Sequence, residues 1–458
     1  MTAFAFLNWF CCLLTSLLLG LVVWRQRFLL VKPSMIVITF FHLMVQWAAT
    51  VNSPYIETYL PNPWVFALLS QGFPLIGLLV SLWTWRRSAF VIWRRLHQPR
   101  PVSVRVRRKA IAFLAAYLVL FVPFYLSYVP PTKTGLYAVF ADPLNSALAR
   151  ESSLKLVASP LIAYGYAFMA SVFGPLLAVL LADSFYRNLK RRRWLRSLAT
   201  AVGVGGVVVA VSLTGARSYA AAIIMTILLA AWLRRGLPLN PVYVVLAALS
   251  VLTLPTLLSI LREGNVVEWA RFWAYLRGAI FWRVFYLPMK TGLMHVHYAQ
   301  TVGLFGVRAI PRLAALLGIP PVNAPNVIAL TYSSTALATS IANTAYVYAY
   351  YSYFGLPSFA ISLLGLWGLD IALWAYRHIS DRLLLACVAS VSVASIMFVN
   401  MEYTIVLLSN GFATLLVVAW IIDRLCRIRI RLGAPGLLGG GSPAGTGKSW
   451  GSTIGRSG

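Results

Sequence analysis

At 458 residues, the chain is 60% hydrophobic and only 11% charged, which excludes a soluble protein of ordinary composition, because a water-facing surface of that size needs far more charge. Its formal net charge of +29 suggests nucleic acid as a partner. Most of the basic residues, however, crowd short connections between apolar runs, as they do on the cytoplasmic side of membrane proteins, so anionic lipid head groups are the expected partners and nucleic acid is not.

The first apolar run, 3–24, has no basic residue before it and no small-residue cleavage site, so it reads as a retained span rather than a signal peptide. Runs of span length recur at 34–53, 63–85, 109–130, 158–183, 197–214, 218–233, 239–260, 356–376, 383–400 and 403–423. About 20 apolar residues suffice for a helix to cross a bilayer, and runs this long fit helices rather than barrel strands. The expected fold is therefore an all-α polytopic membrane protein of eleven spans. Residues 1–260 form amino-terminal transmembrane helices, 261–335 one large outer loop with amphipathic helices, 336–431 carboxyl-terminal transmembrane helices, and 432–458 a disordered tail.

Charge sets the orientation. The connections Arg25 to Lys32, Arg86 to Lys109 and Arg187 to Arg196, with Arg234 and Arg235, are strongly basic; those at 54–62, 131–157 and 215–217 are not. The positive-inside rule puts the first set in the cytoplasm and the second outside. The stretch from Ala338 to Tyr376 is long enough for two crossings. Only a single crossing returns Arg377, Arg382, Arg424 and Arg427 to the cytoplasm. Residues 338–355 are then expected on the outer side, or entering and continuing as a kinked helix broken at Gly355 and Pro357. The amino terminus lies outside and the carboxyl terminus in the cytoplasm, at the inner (plasma) membrane.

The four cysteines show neither metal spacing nor a disulfide framework. His42, inside the second span, reads as a hydrogen-bonded packing residue. Asp370 lies inside a span; it is either functional, as intramembrane carboxylates are by default, or reached by Arg377. Glu402 is one of six acidic residues that face outward in this topology.

The outer loop carries Arg262, Arg271, Arg277, Arg283, Lys290, Arg308 and Arg312 against only Glu263 and Glu268. It is either a solvated basic surface or a site for an anionic substrate, since guanidinium forks match phosphate oxygens in pairs. Trp269, Trp273, Trp282 and Phe285 interleave with Arg271, Arg277 and Arg283, which suggests a helix at the membrane surface with arginines at head-group depth. His295 and His297, two residues apart, diverge by about 200° on a helix and are not a metal pair. With Glu263 they are the candidate general bases. "TGARSYA", Thr214 to Ala220, is a tight outer turn whose only charge is Arg217. Asn343, Tyr346, Tyr350 and Tyr353 recur at helical spacing and form either an ordinary interfacial belt or a stripe suited to sugar rings. "GTGKS" near Lys448 mimics a phosphate loop, but Ser442 stands where its first glycine belongs, and Gly, Ser and Pro surround it.

Residues Asn343 to Gly355 resemble the signature of the Wzy-type O-antigen polymerases. There an asparagine is followed a few turns later by an aromatic-Phe-Gly break that opens an apolar span; Asn343, Tyr351, Phe354 and Gly355 fit it. Arg217 resembles that family's arginine in an outer turn, and "RVFYLP", Arg283 to Pro288, its arginine-proline patch. Ala349 stands near the place of an acidic residue often found in the signature, and Ala342 replaces the histidine of the related ligases. The resemblance implies a GT-C-like, metal- and nucleotide-independent glycosyltransferase with no cofactor. Its donor is an oligosaccharide on polyprenyl pyrophosphate, its acceptor a second lipid-linked unit, and other polysaccharide-assembly proteins are possible partners. Arg217, Arg262 and Arg283 would stabilise the departing diphosphate. Glu263, His295 or His297 would act as base, and Arg277, Lys290, Asn343, Tyr346 and Tyr350 would hold substrate. The competing expectation is a transporter or flippase of lipid-linked glycans, which should show internal repeats and paired broken helices.

Overall fold

The computed structural model describes residues 2–98, 104–141, 159–214, 217–235, 269–333, 342–409 and 411–427. The described residues are helical, with no strand among them. Among the described residues, eight helices are long and apolar enough to cross a membrane: Ala3–Arg25, Pro33–Val51, Pro63–Trp83, Val106–Tyr128, Pro160–Lys190, Trp194–Val211, Pro357–His378 and Ile405–Arg427. Each overlaps an expected span. The expected spans at 218–233 and 383–400 correspond to shorter apolar helices, Tyr219–Arg234 and Leu383–Val399. The span expected at 239–260 and the tail lie outside the described residues.

The first helix shows how the bundle is assembled. Asn8, Cys12, Thr15, Leu19 and Val22 recur at alternating steps of four and three and are buried, whereas Phe6, Phe10, Leu13 and Leu17 are exposed on the opposite side. The buried stripe is the more polar one. Without a hydrophobic force between helices in lipid, close packing and hydrogen bonds hold such a face together. Asn8 donates to Ser53 Oγ at 2.9 Å. Gln46 Nε2 donates to Gln71 Oε1 at 2.9 Å and to Thr15 Oγ1 at 3.2 Å, and Gln71 Nε2 donates to Thr50 Oγ1 at 3.0 Å. His42 sits 2.7 Å from Gln46 Oε1 and 2.9 Å from Ser16 Oγ, the packing role expected for it. Single π-turns at His42–Gln46 and Leu68–Gly72 widen the two helices where these side chains meet.

Asp370 is paired with Lys32, not with Arg377. The ion pair measures 3.0 Å and both side chains are 0% exposed. Lys32 also donates to the carbonyls of Ser81 (2.7 Å) and Thr84 (2.8 Å), and Asp370 accepts from Ser34 N–H (3.1 Å) and Ser34 Oγ (2.8 Å). Every donor and acceptor of the pair is thus engaged, the condition under which a buried charge pair is tolerated. Arg377 instead donates to Ser88 Oγ at 2.7 Å.

The connections rich in Arg gather at one end of the bundle. Arg95 binds Asp381 there, and Arg107, Arg187 and Arg234 converge on Asp183. The connections poor in Arg meet at the other end. Thr2 donates to Glu57, Asn62 and Gln300 exchange hydrogen bonds, and Leu136 N–H donates to the Leu213 carbonyl. The alternation read from charge is thus reproduced in space.

Candidate functional site

Two elements from the latter half of the chain build the arginine-poor end. The first is a continuous helical run over 269–301, whose last part, Leu287–Thr301, is wedged into the bundle. Gly292 permits this approach: a Cβ there would lie 2.6 Å from the Tyr348 ring. The surface helix expected over 268–290 overlaps only the earlier part of the run, where Trp273 and Trp282 are exposed.

The second element is the Tyr346–Phe354 helix. At nine residues it spans roughly 14 Å, under half the hydrocarbon thickness, so it does not cross. The chain before it, 342–345, is non-helical, and the Ala342 carbonyl meets His295 Nε2 at 3.0 Å, level with Ser352, whose hydroxyl lies 3.0 Å from His295 Nδ1. Further in, Tyr348 stacks on Phe41 and Phe66, and Tyr346 meets Phe73 and Phe398 and donates to the Ser362 carbonyl at 3.0 Å. The segment thus dips into the bundle as non-helical chain and climbs back as a helix. Non-helical backbone at such depth is tolerated only where protein buries it. Gly355 (φ 71°, ψ −153°) turns the chain into the Pro357–Gly368 helix with a conformation open essentially to glycine alone.

The candidate residues fall into distinct groups. His295 is fully buried with both ring nitrogens engaged; burial pushes its pKa down to about 4, which makes it a neutral clamp between two backbone segments. Tyr346 is likewise a core residue. Asn343 is exposed but precedes the helix, so it does not share the tyrosine face that its spacing suggests; the His295–Ala342 bond pins the start of that non-helical stretch. Tyr346, Tyr350 and Tyr353 do form one row, with ring centroids 6.3 and 5.9 Å apart. Lys290 lies with its amine 5.7 Å from the Trp282 ring centroid, and Arg277 is exposed. Arg217 begins the Arg217–Arg235 helix and Arg283 lies in the Leu276–Tyr286 π-helix; their side chains, like Arg262 and Glu263 altogether, lie outside the described residues. The main packing partners of the two helical stretches do not overlap.

His297 occupies the best-defined polar setting at this end. Its Nδ1 is 2.6 Å from the Tyr332 hydroxyl, and its ring lies 4.7 Å from Tyr59, which stacks in turn on Tyr55 at 5.4 Å. Asn62 and Gln300 close one side through paired hydrogen bonds of 3.1 and 3.0 Å. His297 is only half-buried, and burial lowers its pKa, keeping the imidazole neutral and able to accept a proton near pH 7.

One of the outward-facing acids, given no role of its own by the sequence, also belongs to this end. Glu402 is buried at the same end, accepts from Thr404 Oγ1 at 2.8 Å, and has its pKa raised by burial. Tyr350 and Tyr353 have theirs raised by burial first and by the nearby Glu402 charge second. Glu402 stands in a two-residue gap between apolar runs, and the tyrosines whose protonation its charge affects are about 50 positions away. Tyr55 and Tyr59, four apart in a short outer connection, were a readable signal. Among the described residues no group of three or more His, Cys, Asp or Glu side chains is placed to hold a metal ion. No protein-family model, curated protein or solved structure matches the chain.

Proposed function

We propose that this multi-pass membrane protein is a glycosyltransferase that polymerises lipid-linked oligosaccharide repeat units. In this reading it is a GT-C-like enzyme of eleven spans in the plasma membrane, with its amino terminus outside and its carboxyl terminus in the cytoplasm. The observation that supports it most is the group of Tyr55, Tyr59, His297 and Tyr332 at the arginine-poor end. Flat rings cover the apolar face of a sugar, and the amides of Asn62 and Gln300 beside them suit its hydroxyls.

In the reaction the acceptor hydroxyl oxygen bonds to the donor's anomeric carbon as the bond from that carbon to pyrophosphate breaks. The pyrophosphate oxygen leaves with the electron pair, and the hydroxyl proton passes to His297. Of the two described candidate bases, His297 is partly accessible and His295 is fully buried. Arg217, Arg262 and Arg283 keep the role of neutralising the leaving group, and Glu402 would fix the tyrosine row rather than take the proton.

The purified protein, incubated with a polyprenyl-pyrophosphate oligosaccharide and no nucleotide, should yield longer glycans. Unchanged glycan combined with leaflet exchange of the lipid in vesicles would replace this reading with a flippase.

A further inference from the structure

At the arginine-rich end lies a cavity of about 610 Å³ between the Arg86–His97 helix, the turn after Tyr376 and the last helix. Its wall contains Arg95, Arg377, Arg424 and Arg427, with Asp381 as its carboxylate and Val91, Val106 and Ile379 as an apolar lining. The four guanidinium groups are not equivalent. Arg95 is committed to the protein: it pairs with Asp381 and donates to the carbonyls of Tyr376, Arg377 and Ile379. Arg427 pairs with Asp423 one turn before it. Arg377 spends one nitrogen on the neutral Ser88 hydroxyl, and Arg424 rests on the Trp420 ring at 5.6 Å. Among the described residues, Asp381 pairs with Arg95 and Asp423 with Arg427, while no carboxylate pairs with Arg377 or Arg424, which bring positive charge to one hollow.

The hollow sits at head-group depth. Trp374 and Trp420, both exposed, lie on the last turns of the two helices that carry these arginines, and tryptophans settle at the membrane interface. Its volume falls within the range of small-molecule sites, larger than a simple ion requires. Basic pockets between transmembrane helices suit phosphate-bearing head groups, and the apolar lining suits the glycerol and first acyl carbons.

We propose that this cavity binds the phosphate of an anionic phospholipid, as a site separate from the opposite end and independent of the reading given for it. The full chain, delipidated in neutral detergent, would be titrated with phosphatidylglycerol, cardiolipin, phosphatidylcholine and inorganic pyrophosphate, with bound lipid counted by native mass spectrometry. Anionic lipids should bind at least tenfold more tightly than phosphatidylcholine. Arg424→Gln, which removes no hydrogen bond to the protein, should abolish most of that preference, and Arg377→Gln/Arg424→Gln all of it; Arg308→Gln, at the opposite end, should leave it unchanged. If the double variant fails to fold, the single Arg424→Gln carries the test. Equal binding of phosphatidylcholine, or an intact preference in folded Arg424→Gln, overturns the proposal. Pyrophosphate binding as tight as cardiolipin with the same dependence on Arg424 overturns the lipid source in favour of a soluble phosphate.

Discussion

The two ends of the bundle solve the same problem with different chemistry. At the basic end, carboxylates are surrounded by guanidinium groups: Asp183 by three arginines, Asp381 by Arg95. At the other end, tyrosines and histidines pack ring on ring and close with neutral hydrogen bonds, such as His297 to Tyr332 and Asn62 to Gln300. The carboxylates of these pairs are largely shielded from water, so much of each attraction is offset by the cost of desolvating the charges. Ring packing and uncharged hydrogen bonds instead leave a surface with flat faces, donors and acceptors. The contrast teaches that charge in this chain marks which way it sits, whereas the chemistry proposed for it is written in uncharged side chains.

Four substitutions or titrations would break or sharpen the contrast. The largest effect belongs to the buried ion pair near the basic end. Asp370→Ala should destabilise the protein by about 3–5 kcal/mol, because it leaves the Lys32 ammonium enclosed without its counter-charge. Thermal unfolding in detergent would read this, and the double variant Lys32→Met/Asp370→Asn should recover most of the loss. Recovery no better than Asp370→Ala alone would show that the pair does more than balance charge.

Next comes the pH response of the opposite end. His295 is neutral in the fold, with its pKa near 4, against an ordinary 6.5 when unfolded. Between those values the unfolded chain binds more protons, so stability is intact above about pH 6.5 and falls as the pH drops toward 4, by about 3 kcal/mol in all. His295→Gln should flatten this slope over the same interval, and an unaltered slope would assign it to other groups.

His297→Ala should slow glycan extension by about 100-fold, at the lower end of what a positioned proton acceptor supplies, while the unfolding temperature stays near that of the parent. Wild-type activity should fall as the pH drops through the region below 6.5, where the lowered His297 pKa lies, because protonation removes the acceptor. Loss of stability in step with activity would make His297 a packing residue like His295. The smallest effect is expected from Gly355→Ala, about 1–3 kcal/mol, since a side chain is strained at that positive φ.

Spans and polarity were legible in the sequence because both depend on local sums. A run of apolar residues or a cluster of arginines announces itself without knowledge of its neighbours. Pairings were not legible. Asp370 was assigned to the nearby Arg377 or to function because nothing local connects it with Lys32. His295 and His297 looked like equivalent candidates two positions apart, and the same helical divergence that ruled out a metal pair sends one into the core and the other to the accessible end. The tyrosine row was visible as a period, but the start of its helix was not, because the bond between Ala342 and His295 that keeps Asn343 off it comes from another element.

The Lys32–Asp370 pair also constrains how the chain is built. Ser34, beside the lysine, and Asp370 are separated by 336 residues, so the second span enters the bilayer long before its carboxylate exists. Until then the ammonium has the Ser81 and Thr84 carbonyls as partners but no counter-charge. The ninth expected crossing thus acts as a latch: its arrival neutralises the waiting charge and draws the first and last thirds of the protein together, so nascent chains truncated before it should be held open and exposed to quality-control proteolysis.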